Sequence, residues 1–173
     1  ATGVSGNVTI STGISSLESG SINIEAGRST IATGGSIRLQ SGDGNAVSSG
    51  VVAIKTGSND IVSDASGQIS VQTGDSEKES GRVLVSTGAA SVGSTGGIQL
   101  QSGNSETGPA GSISLSAGSS TNAIGGNVLV SSGSGAADGG SGIITVASGN
   151  AFGSSGNLAM QTGFSEIGST GSL

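Results

Sequence analysis

Gly6-Asn7-Val8-Thr9-Ile10-Ser11-Thr12-Gly13 is the stretch on which the reading of this chain turns. Two aliphatic residues stand two apart between small polar ones, and a glycine bounds each end. The unit Gly–x–aliphatic–x–aliphatic–x–(Ser/Thr/Ala)–Gly returns as Gly35-Ser36-Ile37-Arg38-Leu39-Gln40-Ser41-Gly42 and as Gly111-Ser112-Ile113-Ser114-Leu115-Ser116-Ala117-Gly118. Its opening glycines are Gly6, Gly20, Gly35, Gly50, Gly67, Gly81, Gly96, Gly111, Gly126, Gly142, Gly156 and Gly171, spaced 14 to 17 residues apart with a mean of 15. Eleven units are complete, and a twelfth begins just before Leu173. Repetition at a fixed period decides architecture ahead of any local signal.

Strict alternation within each unit is a strand signal, with one apolar and one polar face. The apolar pairs are Val8/Ile10, Ile22/Ile24, Ile37/Leu39, Val52/Ile54, Ile69/Val71, Val83/Val85, Ile98/Leu100, Ile113/Leu115, Val128/Val130, Ile144/Val146 and Leu158/Met160. Most of these residues are β-branched, as a pleated half-buried surface prefers. Return segments of six to nine residues join the units, and most carry one apolar side chain: Leu17, Ile31, Val47, Ile61, Val92, Phe152 or Ile167. A 15-residue period is too short for helical repeats or propeller blades. It predicts an all-β chain: a two-layer parallel β-solenoid of about 11.5 coils, with the pairs stacked as a core ladder. At about 4.8 Å per coil the rod would be roughly 55 Å long. Gly6, Gly13, Gly20, Gly27, Gly35 and Gly42 read as corner residues, where positive φ or tight turns are needed. One coil cannot be stable alone, but an array can, because each coil pairs on both sides. The whole of 1–173 reads as one repeat domain, expected to be a segment of a longer array.

Composition removes whole classes of function. Glycine (35) and serine (37) supply 72 of 173 residues, which would normally signal disorder, but the repeated aliphatic pair argues for order. There is no His and no Cys, so His-based catalysis, thiol chemistry, disulfides and the usual zinc sites are excluded. No apolar run reaches the roughly 18 residues of a membrane helix, so membrane insertion is not expected. The net charge of −6 argues against nucleic acid as a partner. The chain is expected to be no enzyme and to need no cofactor.

The charges divide between the two parts of the unit. Ten of the eleven acids lie in return segments: Glu18, Asp43, Asp60, Asp64, Asp75, Glu77, Glu79, Glu106, Asp138 and Glu166. Arg38, Lys55 and Arg82 stand on the outward strand face, where Glu25 is the one acid. Solvation of the loops explains this division, and lateral packing of rods or divalent-cation binding are its functional readings. Calcium-binding nonapeptides would need serial Gly-Gly-x-Gly-x-Asp, and only fragments such as Asp138-Gly139-Gly140 occur, so no metal site is expected. Outward threonines are confined to Thr9 and Thr145, so no flat Thr array suited to ice is formed. Asn7-Val8-Thr9 is the single Asn-x-Ser/Thr sequon, which makes Asn7 the candidate N-glycosylation acceptor of a secreted chain.

These repeats resemble the Gly/Ser/Thr-rich short-coil β-solenoid arrays of extracellular fibre and surface proteins, of algal, protist or bacterial type. The 15-residue period is also similar to that of some insect antifreeze proteins, from which this chain departs in lacking Thr-x-Thr ladders and cysteines. The resemblance implies a structural role in an extracellular or cell-surface filament, stalk or fibre. Self-association is the implied partnership, with glycans as further partners. Ice binding, or an adhesive, carbohydrate-binding fibre segment, is the alternative.

Overall fold

The computed structural model describes residues 3, 5–45, 48–59, 65–136 and 138–173. Among them there is no helix and no strand, so the β-solenoid expected from the repeat is not formed. The chain exposes 17485 Å², where a compact domain of its 16.1 kDa would expose about 7,400 Å². No described hydrophobic residue is buried. The physical reason lies in the same composition that makes the repeat visible. Glycine loses more conformational freedom on ordering than any other residue. Each unit has only a few aliphatic side chains, and no large aromatic core, to offset that loss.

The core ladder is corrected residue by residue. Its first members, Val8, Ile22, Ile37, Val52, Ile69, Val83, Ile98, Ile113, Val128, Ile144 and Leu158, are all exposed rather than buried. So are its second members, Ile10, Ile24, Leu39, Ile54, Val71, Val85, Leu100, Leu115, Val130, Val146 and Met160. Among the described residues, no stacked coil or second layer buries any of them. The return residues that were to close that layer, among them Leu17, Ile31, Val92, Phe152 and Ile167, stand almost wholly in solvent. Val47 and Ile61 lie outside the described residues.

What the structure does keep is the two-part unit. Every bend or turn within the repeats falls in a return segment, at 16–17, 30–32, 45, 77–78, 91–93, 106–108, 121–123, 138–139, 152–153 and 166–168. The eight-residue stretches between glycines have none. Their side chains alternate as an extended backbone requires. Arg38 Nε donates to Gln40 Oε1 at 2.9 Å, and Gln99 Nε2 donates to Gln101 Oε1 at 2.8 Å. Each bond joins residues two apart on the polar face. Exposure follows the same register in two units, where Val51 is 87% exposed beside Val52 at 47% and Ile143 is 89% exposed beside Ile144 at 49%. It does not at Leu84, which is 67% exposed beside Val85 at 71%.

By their internal contacts the residues fall into two units, Ala1–Val85 and Ser86–Leu173. Both contain the same succession of extended segments and bent returns. In the first, Gly35 N donates to Gly27 O at 2.8 Å and Gly50 N to Gly42 O at 2.9 Å. In the second, Gly126 N donates to Gly118 O and Gly142 N to Gly133 O, each at 2.9 Å. Each bond ties an opening glycine to the closing glycine before it, so the return segment becomes a closed loop.

Candidate functional site

The closures explain why glycine opens the units at Gly35, Gly50, Gly126 and Gly142. A methyl group at Gly35 would stand 3.1 Å from both Ala26 Cβ and Gly27 N, which is too close for an ordinary contact. Gly50 approaches Ser41, Gly126 approaches Ala117 and Gly142 approaches Ser132 in the same way. At these four positions the glycine is needed for close approach rather than for backbone handedness. Among the described residues only Gly93 has positive φ, at 93°, and it lies in a return segment. Gly6, Gly13, Gly20, Gly27, Gly35 and Gly42 do not adopt positive φ, one of the two conformations expected of corner residues.

The identity of the small residue decides how the closure is made. All four hydrogen-bonded closures have Ala or Ser before the closing glycine. At Thr12, Thr56, Thr73, Thr87 and Thr162 it is instead the threonine Cγ2 methyl that faces the next opening glycine, and no amide bond joins the two glycines. A β-branched methyl takes the space that the backbone approach would use. Ser102 approaches Gly111 without the bond, so a small side chain permits the closure and does not compel it.

Return segments are organised by a second position. Ser15, Ser29, Ser76, Ser105, Ser120 and Ser165 all lie two residues past a closing glycine. Each Oγ accepts a backbone N–H two or three residues further on: Leu17, Ile31 with Ala32, Lys78, Gly108, Ala123 and Gly168. These are short side-chain-to-backbone turns, favoured by serine because its hydroxyl lies close to its own main chain. Sequence reasoning passed over them, although Gly–x–Ser recurs at a fixed offset. Five described residues are half-buried: Ser29, Ser41, Thr56, Ser102 and Ser165. All are either closure residues or turn serines.

The aliphatic pairs are a recurring apolar feature of the surface. From Ile22 onward the first member of each pair is 47–61% exposed, and every second member, from Ile10 to Met160, is 65–75% exposed. Val8 is the exception at 92%, in a unit whose opening glycine meets no other residue. Closure alone does not set this cover, because Gly156 meets nothing either while Leu158 is covered like its equivalents. The pairs are thus presented to solvent, unit after unit, on one side of each segment.

Other candidate chemistry is dispersed. Among the described residues no group of three or more carboxylates or other ligating side chains could hold a metal, and no cavity is formed. Asp60 and Asp64 lie outside the described residues. Asn7 and Thr9 are exposed on a segment without bends, so the sequon is accessible. Among the described residues no helix is long and apolar enough to cross a membrane. No protein family, characterised protein or solved structure matches this chain.

Proposed function

We propose that this chain is a structural repeat protein that acts by self-association, contributing to an extracellular or cell-surface filament, stalk or fibre. The observation that carries the reading is the aliphatic pair, repeated in every unit and left in water in the single chain. Monomeric soluble proteins rarely present apolar surface in so regular an array without a partner for it. A second copy offers the same pairs at the same 15-residue mean period, so its register matches without any further design. Unpaired backbone along extended segments adds donors and acceptors that another chain can satisfy. The acidic return segments keep the single chain soluble and confine contact to the segments.

The test is sedimentation velocity across a concentration series, with negative-stain electron microscopy of the same samples. Concentration-dependent assembly into filaments is expected. A chain that stays monomeric at every concentration, and above all one that shows thermal hysteresis as a monomer, would overturn the reading.

A further inference from the structure

The two Asp-Gly steps of this chain differ in one respect that bears on covalent chemistry. At Asp138-Gly139 the glycine amide is engaged, donating to Ala136 O at 3.0 Å. At Asp43-Gly44 both residues are exposed, and the Gly44 amide donates to no acceptor among the described residues. Asp43 directly follows Gly42, whose carbonyl accepts the Gly50 closure bond. The step therefore sits at the fixed base of a loop, with its own amide unengaged among the described residues.

We propose that Asp43-Gly44 is a site of spontaneous isoaspartyl formation, and that Asp138-Gly139 is held back from the same reaction by its hydrogen bond. The Gly44 nitrogen attacks the Asp43 side-chain carbon Cγ. An N–Cγ bond forms, a Cγ–O bond breaks, and that oxygen leaves as water with the amide proton and a proton from the medium. The product is a cyclic imide. Water then adds to one of its two carbonyls. Where the main-chain carbonyl is attacked, the bond between that carbon and the Gly44 nitrogen breaks, and the chain afterwards runs through Cγ. No oxidant, metal or second substrate is consumed. Glycine favours the attack because no Cβ obstructs the nitrogen and the backbone turns freely. The inserted methylene lengthens the main chain just inside a closed loop, so the modified loop loses its match to the Gly42–Gly50 closure.

The experiment is incubation of the full chain at neutral pH and 37 °C, followed by peptide mapping with an isoaspartyl-specific methyltransferase as probe. A parallel incubation is made in concentrated urea. In buffer, isoaspartate is expected at residue 43 about two- to tenfold faster than at 138, the factor set by opening one backbone hydrogen bond. In urea the two rates should converge, and Asp43→Glu should remove the faster signal. Absence of isoaspartate at 43, an equal or faster rate at 138 in buffer, or a difference that persists in urea would each overturn the proposal.

Discussion

The segments between glycines carry the aliphatic pairs and the returns that join them carry most of the acids, and different interactions order the two. In a segment the ordering is by alternation: side chains two apart meet, as Arg38 meets Gln40, and the aliphatic pair shares one face. In a return the ordering is local, from a serine hydroxyl to an amide two or three residues on. The apolar residues follow the same division. Those of the pairs are partly covered, while Ile31, Val92 and Ile167 are almost fully exposed. The lesson is that a regular repeat can specify local geometry at every unit without specifying a core. Alternation and serine turns need only neighbours in sequence. Stacked ladders must also outweigh the entropy of ordering a glycine-rich chain.

The largest expected effect tests whether the segments are the adhesive part. Ile113→Asp or Leu115→Asp places a charge where an assembled neighbour would cover an aliphatic side chain worth about 1.5–3 kcal/mol. Either change should raise the concentration needed for assembly by about tenfold or more. In the single chain both positions are already exposed, so its circular dichroism should not change. Ile124→Asp, in a return segment, should leave assembly unchanged. Equal effects at residues 113 and 124, read by sedimentation, would erase the distinction between segment and return.

A smaller effect is expected where the two regions join. Ala26→Thr introduces the methyl that replaces the amide bond at the five threonine closures. The Gly35 amide should lose a hydrogen bond worth about 0.5–1.5 kcal/mol and exchange with solvent about two- to tenfold faster. The Gly50 amide, which donates to Gly42 O beside Ser41, serves as the internal control. In the converse change, Thr73→Ala should let Gly81 N reach Gly74 O and become protected. Failure of both changes to alter exchange would mean that the residue before the closing glycine does not govern closure.

These cases show how much of the molecule was legible in advance. Unit boundaries were legible, because the bends and turns fall between the glycine-bounded segments. The stacking of units was not. Val8/Ile10 and the ten later pairs carry a pattern that suits burial, but the pattern contains no term for the cost of ordering the glycines around them. The aliphatic pairs read as an internal core ladder, and their exposure overturns that role. The closure rule was missed because Ala, Ser and Thr were grouped as equally small, when the threonine methyl separates Thr73 from Ala117. The turn serines were missed because attention to glycine and aliphatic positions left Ser105 and its equivalents looking like solvated loop.

The smallest effect concerns those serines and sharpens the contrast from the return side. Ser105→Ala removes the acceptor that Gly108 N meets at 3.0 Å. The bond is exposed, so water replaces much of it, and a loss near the low end of the usual range, about 0.5 kcal/mol, is expected. Amide exchange at Gly108 should quicken about twofold, while the amides of segment 96–103 keep their rates. Ser114→Ala, within a segment, should change no amide, since no backbone donor meets that hydroxyl. The return after Gly88 offers the reverse experiment: Ala90 occupies the place two past a closing glycine, and bends follow at 91–93. Ala90→Ser supplies the missing hydroxyl and should slow exchange at Val92 or Gly93 by a similar factor. If the added serine protects nothing and the removed one exposes nothing, the Gly–x–Ser offset is an accident of composition, and the return segments have no ordering rule of their own.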